Sequence, residues 1–326
     1  MKVCIYGAGA IGGFIGARLA AHTSAQVSAV ARGATLQALR EHGWRLQQGG
    51  QLVTGPVTAT ADPATLGVQD LVVIAVKGPA LAAVADQLAP LLGPHTVVLP
   101  AMNGVPWWFG RGIAAIGDAP LESVDPGGRI AAKIPHGQVL GCVVHAATTS
   151  PQPGLVEHKM GQGLIIGEPG GGESARAREL GALLAQAGFD LTVSANVRQD
   201  IWYKLWGNMT MNPVSAITGA TVDRVLDDPL LLTFCANAMR EASAIGARIG
   251  CEIAQTPEDR QQVTRKLGAF KTSMLQDVEA GRGIELDALV GAVREIAQRL
   301  QLPTPNIDAL LGMTRLFGRV HGLYPQ

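Results

Sequence analysis

The sequence predicts an α/β, doubly wound parallel sheet followed by an all-α domain, and three observations carry that prediction. A short apolar run, Lys2 to Tyr6, passes through a glycine-rich turn into a helix-compatible stretch from Phe14 to His22. Strand-like and helix-like runs then alternate to about residue 193, as parallel sheets with crossover helices require. From Arg198 to the end the apolar periodicity is almost wholly helical.

In order, a second strand is expected at Gln26 to Ala31, a helix at Thr35 to Glu41, and a hairpin-like pair around Trp44 to Val53 and Val57 to Thr60. Leu71 to Val76 is a continuous β-branched run, the pattern of a strand buried on both faces. A helix at Pro79 to Ala89 and a strand at Thr96 to Pro100 repeat the alternation. Strands at Val139 to Ala147 and Gly163 to Ile166, separated by the turn-rich Ser150 to Gly154, are expected to extend the sheet at its edge. A helix at Ser174 to Ala187 and a strand at Asp190 to Val193 close the first part. Helices are then expected near 199–211, 229–250, 257–279, 285–300 and 306–316. At 326 residues the chain suits two domains, and the change of periodicity divides it into residues 1–197 and 198–326.

Composition narrows the function. Lys plus Arg and Asp plus Glu both total 26, so no bulk charge draws the chain to nucleic acid or an anionic membrane. The four cysteines, Cys4, Cys142, Cys235 and Cys251, are dispersed in apolar runs with no CxxC pair, which points to a reducing compartment and no metal. Met1 leads straight into the first strand, with no basic n-region or cleavable apolar stretch, and no run of about 18 apolar residues occurs; a cytoplasmic location follows as the expectation. Leu230-Leu231-Leu232 offers an apolar face for a homodimer and reads equally as ordinary core.

The turn after the first strand, Gly7-Ala8-Gly9-Ala10-Ile11-Gly12, has a mechanical reason at each glycine: a tight turn, close backbone approach to a pyrophosphate, and close helix-to-strand packing. The free N–H groups of the helix start, around Ala10 and Ile11, then face the ligand with the positive end of the helix dipole. The pattern alone recurs by chance in a chain with 41 glycines; its place between the first strand and first helix of a β/α series marks a Rossmann-type dinucleotide site. Where an NAD site ordinarily carries an acid after the second strand, this chain has Ala31-Arg32-Gly33. An arginine there can pair with a 2′-phosphate, so the cofactor expected is NADPH. Lys77 and Asn103 follow two later strands, at the carboxyl ends where ligands of open α/β sheets collect.

In the helical part, Lys204, Asn208 and Asn212 recur every four residues and share one helix face, flanked by Trp202, Leu205, Trp206 and Met209. A lysine and two amides among bulky apolar residues suit a pocket wall better than a solvated stripe. Carbonyl reduction by hydride builds negative charge on oxygen, and a lysine can supply the proton, so Lys204 is the candidate acid. A second polar cluster runs Ser273-Met274-Leu275-Gln276-Asp277, Gly281-Arg282-Gly283 and Ile284-Glu285-Leu286-Asp287.

Together these segments resemble the ketopantoate reductase family across essentially the whole chain. The matching stretches are the glycine turn, Val76-Lys77, Asn103-Gly104, Pro153 to His158, Lys204-x3-Asn208-x3-Asn212-Pro213, and Ser273 to Asp277 followed by Glu285-Leu286-Asp287. The resemblance implies NADPH-dependent reduction of a 2-keto acid, 2-dehydropantoate to (R)-pantoate, in a cleft between a dinucleotide-binding and a helical domain. It implies Lys204 as general acid and Glu285 as the carboxylate that positions the substrate hydroxyl and the lysine. It further implies Ser273 as a ligand of the substrate carboxylate, Asn208 and Asn212 as substrate-side residues, and Lys77 and Asn103 as cofactor-side residues. Four departures bear on the identity of the keto acid. Gly78-Pro79-Ala80 follows Lys77 where a glutamine is common three residues on, Phe270 stands where some members carry asparagine, Ile284 precedes Glu285 in place of a polar residue, and Val105 to Phe109 is unusually aromatic, as a cap on a larger apolar substrate would be. The competing readings are a related 2- or 3-hydroxy acid or opine-type dehydrogenase, and a catalytically silent NADPH-binding sensor.

Overall fold

The computed structural model describes all residues, Met1–Gln326, and divides into two compact units. Residues 1–102 and 129–200 form the first; 103–128 and 201–326 form the second. The sequence pattern placed a single cut at 197/198. The observed division assigns the segment 103–128 to the helical unit, for reasons given below.

In the first unit the strands in chain order are β1 (Lys2–Tyr6), β2 (Gln26–Val30), β3 (Trp44–Gln48), β4 (Gln51–Gly55), β5 (Thr58–Thr60), β6 (Leu71–Ile74), β7 (Val97–Pro100), β8 (Gly141–Gln152), β9 (Leu155–Gly167) and β10 (Asp190–Ser194). Five of them form an all-parallel sheet in the order β5-β2-β1-β6-β7. Renumbered among themselves these read 3-2-1-4-5, the doubly wound order, with the reversal of direction between β1 and β6. Two expectations need correcting. The hairpin is β3–β4 alone, turned through Gly49 and Gly50, and β5 instead joins β2 in the parallel sheet. The strands after residue 138 do not extend that sheet: β8, β9 and β10 build a second sheet with β3 and β4. A two-residue Gly-Gly link closes a hairpin on itself, and the freed strand edge of β3 is then taken by β9.

The helix α1 (Ala10–His22) lies between these two layers, and its small residues make that possible. A Cβ on Gly12 would stand 2.0 Å from the Gly7 carbonyl oxygen, one on Gly13 would meet Val156 at 2.5 Å, and one on Gly16 would meet Trp44 at 2.6 Å. Phe14 stacks on His158 with ring centroids 5.0 Å apart. The stretch Pro153 to His158 therefore has a packing role, clamping α1 from the second sheet. The remaining helices of this unit are α2 (Gly33–His42), α3 (Leu81–Ala85) and α4 (Ala175–Gln186), the last capped by Ser174.

The second unit carries α5 (Val197–Thr218, whose first turn belongs to the first unit), α6 (Val222–Asp227), α7 (Pro229–Arg248), α8 (Pro257–Arg265), α9 (Ser273–Glu279), a π-helical turn at Asp287–Gly291, α10 (Ala292–Arg299) and α11 (Pro305–Val320). Pro213 lies inside α5, which runs through to Thr218 and does not stop near 211. Proline removes one backbone bond, and burial of Met209, Met211, Val214 and Ala216 on both sides holds the helix across the gap. The expected 257–279 helix is two, because Gly268 at φ +71° ends the first and Thr272 caps the second. Leu231 and Leu232 pack on an apolar cluster with Val222, Val225 and Leu310, whereas Leu230 is 80% exposed. No helix is long and apolar enough to cross a membrane.

The segment 103–128 has no long regular element and is held to the helical unit by side chains. The Glu295 carboxylate accepts from the backbone N–H groups of Glu122 and Ser123 and from the Ser123 hydroxyl, while Arg299 donates to Ala119 and to Glu295. Phe109 stacks on Trp202 at 5.9 Å. Trp107, Trp108 and Phe109 are all at most 4% exposed, so the aromatic run is core and does not cap a site from outside.

Candidate active site

In the first unit the glycine turn fits a dinucleotide on its own geometry. Gly7 adopts φ +99°, and a Cβ there would meet Val76 at 2.7 Å and the Ala75 backbone at 3.0 Å, so that position needs glycine for both conformation and space. Gly12 needs it for the contact with Gly7. Gly9 is different. It is exposed, it N-caps α1 without a side-chain bond, and a Cβ built on it meets nothing within 4 Å. Protein packing does not explain a glycine at Gly9, whose backbone is exposed and open to close approach from outside. Ala10 and Ile11 follow as the first helical residues with no acidic side chain in the first turn, which leaves the N-terminal N–H groups and the dipole to an anion.

Arg32 is exposed at the end of β2 and N-caps α2. Its guanidinium donates to Gln87 Oε1 at 3.4 Å, and the same oxygen accepts from the Tyr6 hydroxyl at 2.8 Å. Burial pushes the Tyr6 hydroxyl pKa up, against a smaller lowering by Arg32, so the group stays a neutral donor. Tyr6 and Gln87 were not foreseen: Gln87 lies 55 residues from Arg32, and no local pattern links them. Lys77 is exposed just past β6 and caps the short helical turn Gly78–Ala80, which Pro79 helps to open.

In the second unit, Lys204, Asn208 and Asn212 project from α5 as their four-residue spacing requires. Lys204 Nζ donates to Asn103 Oδ1 at 2.8 Å. Asn103, expected on the cofactor side, thus has its oxygen on the candidate acid. Its placement is built from the chain next to it. Gly104 adopts φ +83°, where a Cβ would stand 2.6 Å from the Ala288 carbonyl oxygen, and Val105 N–H donates to that oxygen at 2.8 Å. Asn212, 5% exposed, donates from Nδ2 to Ser273 Oγ at 3.4 Å. Ser273 itself is exposed, at the first turn of α9, with the Thr272 hydroxyl capping the helix.

Glu285 is partly buried two residues before the π-turn, between Ile284 and Leu286, which are core. Ile284 fits a buried site, where a polar residue would need a partner. Phe270 packs on the apolar cluster around Val222, and its carbonyl accepts from Val222 N–H at 3.0 Å. Asp277, buried, pairs with Arg282 at 3.0 Å, so the Gly-Arg-Gly turn serves to neutralise a carboxylate. Arg260 was also not anticipated. Its guanidinium lies 4.9 Å from the Tyr203 ring centroid and fills the space that Gly207 leaves on α5. All four thiols are buried and form no disulfide, and burial pushes Cys4 and Cys235 up to about 12, away from the reactive thiolate.

Two family models cover the chain, ketopantoate reductase PanE/ApbA at residues 3–171 and its C-terminal model at residues 196–317. The chain belongs to the ketopantoate reductase family. A 2-dehydropantoate 2-reductase of Mesorhizobium japonicum is 42% identical to this member over 99% of the chain and all of the relative. A solved structure described as a putative ketopantoate reductase from Ralstonia solanacearum is 55% identical, covers 99% of both chains and superposes with a TM-score of 0.95. A PanE/ApbA family ketopantoate reductase from Ralstonia eutropha is 26% identical over 99% of this chain and 100% of its own, with a TM-score of 0.84.

Proposed function

We propose that this ketopantoate reductase family member reduces 2-dehydropantoate to (R)-pantoate with NADPH, and that Lys204 is the proton donor. The observation that carries the reading is the Lys204 Nζ to Asn103 Oδ1 bond of 2.8 Å, on a helix face that continues through Asn208 to the Asn212–Ser273 pair. The names of the full-length relatives support the substrate; the glycine turn and Arg32 support the cofactor.

Bound NADPH supplies the hydride. The residues of the chain do the rest. Asn103 accepts one N–H of the Lys204 ammonium and so fixes where the Lys204 head group stands to meet the substrate carbonyl oxygen. As the carbonyl carbon gains hydride, its oxygen takes the electron pair of the π bond, and Lys204 passes a proton to it; the neutral amine is then reprotonated from water. Asn208 and Asn212 offer amide donors along the same face, and the exposed Ser273 hydroxyl offers one more to the substrate carboxylate. Glu285 supplies the acceptor for the substrate hydroxyl. In the first unit, Gly9 and the start of α1 receive the pyrophosphate, Arg32 the 2′-phosphate, and Lys77 a further oxygen of the dinucleotide.

Lys204→Ala tests the assignment. The variant should bind NADPH as the wild type does, while turnover of 2-dehydropantoate falls about 10²- to 10⁴-fold, the range for loss of a positioned acid. Turnover within threefold of wild type would remove Lys204 from the chemistry. Wild-type NADPH binding with no turnover of any 2-keto acid would favour the silent sensor.

A further inference from the structure

We infer that the last residues of the chain belong to the active-site architecture: Leu323 and Tyr324 grip the turn bearing Glu285 from both sides, with Tyr324 the positioning residue. The inference rests on the reading of Glu285 as the substrate-positioning carboxylate. On one side of Glu285, Ile284 N–H donates to the Leu323 carbonyl at 2.9 Å. On the other, the Tyr324 hydroxyl donates to Asp287 Oδ1 at 2.5 Å. The tail reaches this position because Gly322, at φ +69°, turns the chain back after α11, and Leu323 N–H then closes on the Gly318 carbonyl at 2.7 Å. Gly318 leaves the room: a Cβ there would meet Tyr324 at 2.7 Å and Ile284 at 3.1 Å. A residue next to Glu285 and the tail residue that holds its turn thus share one notch.

What is gripped is irregular. Asp287–Gly291 is a π-helical turn, in which the Asp287 carbonyl accepts from Ala292 five residues on. Such a turn holds one residue more than an α-turn. If it relaxed, Glu285 would rotate by about 100° relative to α10, the angle of one residue at 3.6 per turn. The same turn presents the Ala288 carbonyl to Val105, two residues from the Asn103 that holds Lys204. Burial raises the Asp287 carboxyl pKa, the Tyr324 donor and, less, the charge of Arg315 favour its charged form, and the Tyr324 hydroxyl is itself pushed up to about 12 by burial and by that carboxylate.

The test compares Tyr324→Phe, Asp287→Asn, Asp287→Ala and Glu285→Gln in the full chain, reading kcat, KM for 2-dehydropantoate, NADPH affinity and Tm. Tyr324→Phe should lower kcat about tenfold or more, with NADPH affinity kept and Tm close to wild type. Asp287→Asn, which keeps an oxygen for the tyrosine, should retain several times the kcat of Asp287→Ala. Wild-type kcat in Tyr324→Phe, or a loss that only tracks a fall in Tm, would overturn the inference. The two readings separate: an inactive Glu285→Gln beside a fully active Tyr324→Phe sinks this inference alone, whereas a fully active Glu285→Gln sinks the role of Glu285 on which it rests.

Discussion

Of two glycines in the turn, Gly12 is hemmed in by protein atoms and Gly9 is not, and exchanging each for alanine should separate folding from cofactor binding. At Gly12 an added Cβ would lie 2.0 Å from the Gly7 carbonyl oxygen, and 3.0 Å is the closest approach that real Cβ atoms show. The helix α1 must therefore move by at least 1.0 Å, the difference of those distances, while it is wedged between Ile5 and Ala75 on one side and Val156 and Trp44 on the other. Forcing a methyl into so close-packed a site costs about 1–3 kcal/mol. For a unit of this size that corresponds to a Tm lower by roughly 2–12 °C. At Gly9 the Cβ meets nothing, and the cost is the poorer N-cap, under about 1 kcal/mol. On the proposal that this turn receives the pyrophosphate, the added methyl would stand in its way. Gly9→Ala should therefore fold almost as wild type and lose at least about tenfold in NADPH affinity, roughly 1.4 kcal/mol. Thermal unfolding and NADPH fluorescence titration on the two variants decide it. Wild-type NADPH affinity in Gly9→Ala, or an unchanged Tm in Gly12→Ala, would refute the account of the turn.

Further consequences concern charge. Arg32→Glu should cut the preference for NADPH over NADH by about tenfold or more, the lower end of what a charge-assisted bond at an exposed site contributes; an unchanged ratio of kcat/KM for the two cofactors would count against Arg32 as the 2′-phosphate ligand. The bond from Arg176 holds the Glu168 carboxyl below its ordinary value, the two side chains being 32% and 18% exposed. A depressed folded-state value contributes stability that is present above the unfolded value and lost as pH falls through the folded one. The Tm deficit of Glu168→Gln should accordingly be full near about pH 7 and close towards about pH 3, and a deficit independent of pH would contradict the assignment.

Much of the fold was legible because its signals are local. Lys2 to Tyr6 before Gly7, and the β-branched Leu71 to Ile74, carry their strand identity within a few residues, and the four-residue spacing of Lys204, Asn208 and Asn212 fixes their common face. What escaped depends on distant partners. The second sheet forms because β9 finds the edge of β3, a pairing of Leu46 with Val156 across more than a hundred residues. The segment 103–128 has no periodicity to read, and distant partners such as Glu295, Arg299 and Trp202 assign it to the helical unit. The aromatic run at Trp107 to Phe109 looks the same in sequence whether it caps a pocket or fills a core; its burial against Trp202 distinguishes them. In the site, Lys204 was readable from its neighbours, but its bond to Asn103 spans 101 residues, and Tyr324 stands 37 from Asp287.

The central claim is tested most directly by steady-state oxidation of NADPH against a panel of 2-keto acids led by 2-dehydropantoate, with NADH in parallel. Turnover of 2-dehydropantoate with a kcat/KM well above that of any other keto acid, and with NADPH preferred over NADH, is the predicted result. Efficient turnover of a different keto acid, with 2-dehydropantoate left unreduced, would contradict it.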